Sequence, residues 1–175
     1  MKTLLLALAT LVLAAPSAYA QDMTDSYVTL ESPTAVVAGA TGVEFTFYVY
    51  NGSPDFEWTY EVVFTFPSCF TVVEDSGSYL DGGLGWNFVF SAEGHVARFT
   101  DGDGGYGEIY DGDGGYFMLR VDVGEDCPSG QSVLHWLQQG DMYGGTPHFV
   151  EGTLDFAIAG TATETRTWSS VRSLY

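Results

Sequence analysis

Between Thr100 and Phe117 the chain reads TDGDGGYGEIYDGDGGYF, an acidic, glycine-rich phrase written twice, ten residues apart. Its aspartates Asp101, Asp103, Asp111 and Asp113 carry carboxylate oxygens, the hard ligands that calcium takes at about 2.3–2.6 Å. Neither familiar calcium loop fits. An EF-hand loop beginning at Asp101 needs an oxygen ligand, a glycine and a bidentate glutamate where the chain has Gly105, Tyr106 and Gly112. The calcium-binding nonapeptide of β-helices fails at Ile109, which stands where its aspartate is required. As turns the phrase is coherent, because Asp-Gly and Gly-Gly supply the positive-φ positions on either side of a short strand, YGEIY. Five residues of strand would hold the two acidic clusters roughly 17 Å apart, at about 3.3 Å per residue, so the four aspartates share one ion only if YGEIY folds back. Two turns are the expectation. Any calcium on these aspartates is expected to bind weakly, near about 10⁻⁴ to 10⁻³ M, since flexible glycines must be ordered to hold it. No other cofactor is expected.

Other reactive constellations are thin. Asp55, Glu57 and Glu61 could supply a carboxylate pair for glycoside hydrolysis, but Glu57 and Glu61 fall on the outward face of a predicted strand. No G-x-S-x-G nucleophile turn occurs, and Lys2 is the sole lysine, which removes Schiff-base and lysine-base chemistry from the mature chain. The chain reads as a non-enzyme. Asn51-Gly52-Ser53 has the form of a glycosylation sequon, against which Pro54 works. Trp136, Tyr106, Tyr110, Tyr143, Tyr48 and Tyr50 are the residues from which a sugar-stacking platform could be drawn.

The elements that must position these residues follow a leader. Lys2, an apolar run from Leu4 to Ala15 and the ending Ala18-Tyr19-Ala20 make residues 1–20 a secretory signal peptide. No later stretch is long and apolar enough for a membrane helix. Beyond residue 20, four arginines face 23 acids, a net charge of −19 that disfavours nucleic acid and anionic membranes. Aromatics at 15% set this acidity apart from the disordered kind, which lacks large apolar residues. Cys69 and Cys127, an even pair in an exported chain, are expected to form a disulfide.

Period-two alternation dominates residues 21–160. VEFTFYVY puts Val43, Phe45, Phe47 and Val49 on one face, and EWTYEVVFTF puts Trp58, Tyr60, Val62, Phe64 and Phe66 on one face with Glu57, Thr59, Glu61 and Thr65 on the other. GWNFVF, YFMLRVDV and TLDFAI repeat the pattern, and YVTLES, TAVVA, CFTVVE, HVARFT and SVLHWLQ are weaker strands. About nine strands separated by turn chemistry, with no helical period, predict a single antiparallel immunoglobulin-like β-sandwich. Residues 161–175 differ. A Thr-rich linker leads to WSSVRSLY, whose Trp168, Val171 and Leu174 share one face of a short helix, and with Arg166 and Arg172 this tail carries +1 against −20 for residues 21–160.

Three stretches, FTFPSCFTV (Phe64 to Val72), VGEDCPSGQ (Val123 to Gln131) and QGDMYGGTPHFVEGTLDF (Gln139 to Phe156), together resemble the immunoglobulin-like domains of bacterial secreted and cell-surface proteins. The tail is similar to short Trp-containing tails that end secreted proteins of some environmental bacteria, without the basic residue that usually follows their last aromatic. The resemblance implies an extracellular or cell-surface domain for structure, adhesion or self-assembly, whose partners are other copies of itself or a cell-surface component. A calcium-dependent carbohydrate-binding module, with glycans as partners, is the alternative.

An eight-residue helix is unstable alone in water, so Trp168, Val171, Arg172 and Leu174 are expected to contact a neighbouring subunit or receptor. Deleting residues 166–175 should leave the melting temperature nearly unchanged and abolish surface retention or oligomer formation. Loss of stability with unchanged localisation would instead make the tail part of the core.

Overall fold

The computed structural model describes residues 23–54, 56–142 and 146–160; the leader, Tyr143 and the tail with Trp168, Val171, Arg172 and Leu174 lie outside them. Eleven strands are described: β1 (Tyr27–Ser32), β2 (Ala35–Val37), β3 (Val43–Tyr50), β4 (Thr59–Thr65), β5 (Phe70–Val72), β6 (Ser78–Leu80), β7 (Phe88–Glu93), β8 (Val96–Asp101), β9 (Gly114–Val123), β10 (Gly130–Gly140) and β11 (Phe149–Ala159). They form two sheets. One runs β1-β3-β9-β5 with β6 also on β9; the other runs β2-β11-β10-β4-β8-β7. Among the described residues no helix is long and apolar enough to cross a membrane.

The sandwich forms because each strand's apolar set faces the other sheet. Phe45, Phe47 and Val49 of β3 and Phe117, Leu119 and Val121 of β9 are fully buried against Val62, Phe64, Phe99, Leu134 and Phe156. Rings interlock across the gap, with Phe47 stacked on Phe64 at 4.0 Å and Phe99 edge-on to Phe117 at 4.9 Å between centroids. The predicted inward faces of VEFTFYVY and YFMLRVDV are the observed ones.

Three features depart from the sequence reading. Eleven strands stand where about nine were expected, SYL as β6 among them, and β2 pairs with β11 in parallel, so the sandwich is not wholly antiparallel. YGEIY is not a strand: residues 102–113 are one loop with a single bridge, Thr59 to Ile109. Here Thr59 accepts from the Glu108 amide and donates to Ile109, both at 2.8 Å, so the segment borrows its pairing from β4 instead of standing between β8 and β9. The third departure lies within β4. Gln139 pairs with Glu61 and Gly140 with Thr59, leaving Tyr60 as a bulge. One extra residue inverts the face, so Thr59 and the preceding Glu57 turn inward and Tyr60 outward.

Cys69 and Cys127 are bonded, with Cα atoms 5.5 Å apart, tying the start of β5 to the β9–β10 connection. The amide of Gly124 donates to the Cys69 carbonyl at 2.8 Å beside the bond. Closing a loop of 58 residues is worth about 4 kcal/mol in the chain-entropy picture. Reduction should therefore lower the melting temperature by roughly 10 °C while far-UV circular dichroism keeps its sheet signal, because the Phe-rich interior is untouched. Loss of the sheet signal at room temperature on reduction would contradict this.

Candidate functional site

One end of the sandwich gathers the ends of β3, β8 and β10 and the starts of β4, β7, β9 and β11; the disulfide closes the other end. At the gathered end the described residues of 51–54 and 56–58 meet those of 102–113 and His148. Asn51, 0% exposed, joins them. Its Nδ2 donates to the carbonyls of Glu57 and Ile109, both at 2.7 Å, and its Oδ1 accepts from the Ser53 amide at 2.9 Å and from Ser26 Oγ at 3.3 Å. Its own amide donates to Asp113 and its carbonyl accepts from Gly112. The sequon form of Asn51-Gly52-Ser53 is thus an internal hydrogen-bonding device, with the amide nitrogen that glycosylation would use fully engaged and buried.

Beneath Asn51 lies the polar plug that the Tyr60 bulge creates. Gln138 Nε2 donates to Thr59 Oγ1 at 2.7 Å, and Glu57, 0% exposed, holds His148 Nδ1 at 2.9 Å from its Oε1. The Glu57 carboxylate occupies the space where a Cβ on Gly140 would stand, so glycine at 140 is required to seat it. Burial pushes the Glu57 carboxyl up, with Asp141 adding to the push and His148 opposing it, and the net shift is upward. Neither half of the glycosidase pairing survives: Glu57 is sealed from solvent and Glu61 is held by Arg98 at 3.2 Å on the sheet, while Asp55 lies outside the described residues.

Above the plug is an open cleft of about 280 Å³ lined by Phe56, Trp58, Tyr106 and Asp141. Tyr110 packs behind it, 5.1 Å from Trp58 and 5.9 Å from Phe56 between centroids. Tyr106 is 72% exposed, and Phe56 and Met142, the residue after Asp141, hold φ of 71° and 65°, a backbone region that side chains of this size rarely occupy. Of the sequence-predicted platform, Tyr106 and Tyr110 belong here. Tyr48 and Tyr50 instead join Tyr27 and Tyr116 on the outer face of the first sheet, with Tyr27 stacked on Tyr50 at 5.0 Å. Trp136 packs against the core with its indole over Gly152.

The repeated acidic phrase divides. Asp101 and Asp103 come together, and their third partner is Glu108: one carboxylate oxygen from each lies within 4.8 Å of the others. Asp113 contributes its backbone to Asn51 and Asp111 lies against Tyr110, so neither belongs to this group. Asp101 Oδ1 accepts the amides of Asp103 and Gly104, at 2.9 and 3.3 Å, and Glu108 Oε2 accepts the Asn87 amide at 2.7 Å. Burial pushes Glu108 up, the Asn87 amide opposes it, and a hydrogen bond to Asp101 and the charges of Asp101 and Asp103 push it further, so that the proton shared with Asp101 rests on Glu108. At Asp101 burial also pushes up but is outweighed by the Asp103 amide, the Glu108 side chain, the Gly104 amide and the Asp103 side chain, and the net shift is downward.

No protein-family model and no curated protein matches the chain by sequence. Solved structures do match. The major pilin subunit of Bacillus cereus (D312A form) aligns with a TM-score of 0.57 at 12% identity, over 78% of this chain and 41% of that one. A membrane-anchored protein, so described, from Corynebacterium diphtheriae gives 0.55 at 12% identity, over 78% and 36%. The N-terminal domain of a Streptococcus gordonii adhesin gives 0.50 at 11%, over 78% and 33%. The likeness is one of fold. This chain spans about two fifths of the first pilin and a third of the adhesin structure. The immunoglobulin-like sandwich expected from the three resembling stretches is the fold these bacterial surface proteins share with it.

A carboxyl raised by burial supports folding fully below its ordinary pKa, and that support is lost as pH rises through the raised folded value. Glu57→Gln removes this loss while leaving an oxygen for His148. The variant's melting temperature relative to the parent should therefore climb as the pH is raised from about 4 through the raised folded value. A difference that stays flat or falls over that range would show that the Glu57–His148 pair carries no net burial penalty.

Proposed function

We propose that the chain is a non-enzymatic adhesion domain, exported to the cell surface or its surroundings, that binds a neutral saccharide in the cleft at its loop end. The observation that carries this reading is the cleft itself, lined by three aromatic residues, Phe56, Trp58 and Tyr106, and one acid, Asp141. Aromatic faces take the apolar C–H face of a sugar ring, and a carboxylate accepts its hydroxyls. A formal charge of −18 on the whole chain repels anionic glycans, which is why a neutral one is specified. Sealing of Glu57 and pairing of Glu61 support a binding role over turnover. The leader and the fold shared with pilin and adhesin domains support the surface address. Self-assembly is the second reading, favoured by the apolar stripe and opposite charge of the tail.

Screening the chain against immobilised neutral glycans should find a saturable ligand. Tyr106→Ala, at an exposed position that the fold does not need, should weaken binding by roughly 3- to 10-fold, a stacking contact being worth about 0.5–1.5 kcal/mol. Tyr48→Ala on the outer sheet face should not. Absence of any glycan ligand together with fibres or higher oligomers in the purified material would favour assembly, and a Tyr106→Ala variant binding like the parent would remove the cleft from the account.

A further inference from the structure

We propose that Asp101, Asp103 and Glu108 form a calcium site within the loop that joins β8 to β9. Three carboxylates so close are by themselves unremarkable on an acidic protein, and the decisive feature is Glu108. It is 9% exposed, and its Oε1 is buried without any hydrogen-bond donor. Asp101 Oδ2 is likewise buried and without a donor. The amides that serve this loop are spent on the other oxygen of each group: Asn87 on Glu108 Oε2, Asp103 and Gly104 on Asp101 Oδ1. Two buried, donor-less oxygens of like charge thus belong to carboxylates that gather with a third, Asp103, an arrangement that needs a cation or a shared proton.

The donors suit a hard cation. One oxygen from each residue lies within 4.8 Å of the others, close enough for the three to reach a common centre. The ligands are all oxygen and three of them are carboxylates, more than the one or two on which magnesium usually sits, and exposed Asp103 leaves one side open for water to complete calcium's flexible shell of 6–8 ligands. The loop is also fixed where the site needs it. Glu108 is anchored through its amide to Thr59, while Gly107 at φ 123° lets the chain pass so close to the Thr59 carbonyl that a Cβ would collide with it. The segment between Asp103 and Glu108 carries Tyr106, so a bound ion would tether the residue that walls the cleft; the site itself stands without the saccharide reading, because its test reads calcium alone.

Calorimetric titration of calcium chloride into the chelator-treated full chain tests this. One saturable event is expected with a Kd of about 10⁻⁴ to 10⁻³ M, the range of extracellular modules with exposed ligands. Glu108→Gln and Asp103→Asn should each weaken it by about ten-fold or more, and Asp111→Asn by less than about two-fold. Asp103 is exposed, so its variant keeps the fold. In chelator, Glu108→Gln should melt at or above the parent, because its amide can donate to the stranded Asp101 oxygen. Absence of saturable heat up to about 10 mM calcium would overturn the site in favour of a shared proton. Equal weakening by Asp111→Asn and Glu108→Gln would overturn it in favour of diffuse surface charge.

Discussion

The loop end depends on a single buried amide. Asn51 satisfies both hydrogens of its side chain on carbonyls from two different segments and both of its backbone groups on a third contact pair, Gly112 and Asp113. A buried polar group left unpaired costs about 1–3 kcal/mol, so the segments cannot separate without exposing several such groups at once. That is why twelve residues rich in glycine, 102–113, can lie in one conformation at the edge of a sandwich that bridges to them only between Thr59 and Ile109. Ser26 extends the same network to the segment before β1.

The Tyr60 bulge supplies the other half. Without it Glu57 and Thr59 would face solvent and Trp58 the interior; with it the polar side chains close the core and the aromatic ones open a cleft. A sandwich needs some way to end its apolar interior, and here the ending is a hydrogen-bonded layer of Asn51, Thr59, Gln138 and the Glu57–His148 pair. Cleft and core closure alternate along one segment, Phe56 and Trp58 lining the first and Glu57 and Thr59 belonging to the second. Under the proposed saccharide reading, the polar layer beneath would lower the entropy lost when a ligand is held.

Strands whose alternation is unbroken were legible in the sequence down to the buried residues, because a one-residue error would expose Phe45, Phe47 or Leu119. The cysteine pair was legible for a different reason, its even number in an exported chain. The site was legible only in pieces. EWTYEVVFTF alternates so evenly that nothing local marks Tyr60 as a bulge; the signal is Gly140 on the facing strand, the position that must lack a Cβ to admit Glu57. YGEIY has strand composition, yet its pairing partner is Thr59, more than forty residues away in sequence, and pattern alone cannot see that bridge. Glu108 was hidden by the same assignment, and Asn51 was hidden behind the form of a modification signal. In each case a long-range contact overrode a local pattern.

The central claim is that the loop end is as firmly built as the sheets. Amide hydrogen exchange on the native chain measures this directly. The amides of Ser53, Glu108, Gly112 and Asp113 lie outside the strands and are each bonded to Asn51, Thr59 or Tyr110. They should exchange nearly as slowly as those of β9 and β10, while the Gly105 amide, bonded only to exposed Asp103, should exchange quickly. If Glu108 and Gly112 exchanged as fast as Gly105, the loop end would be an ordinary mobile surface and the account would fail.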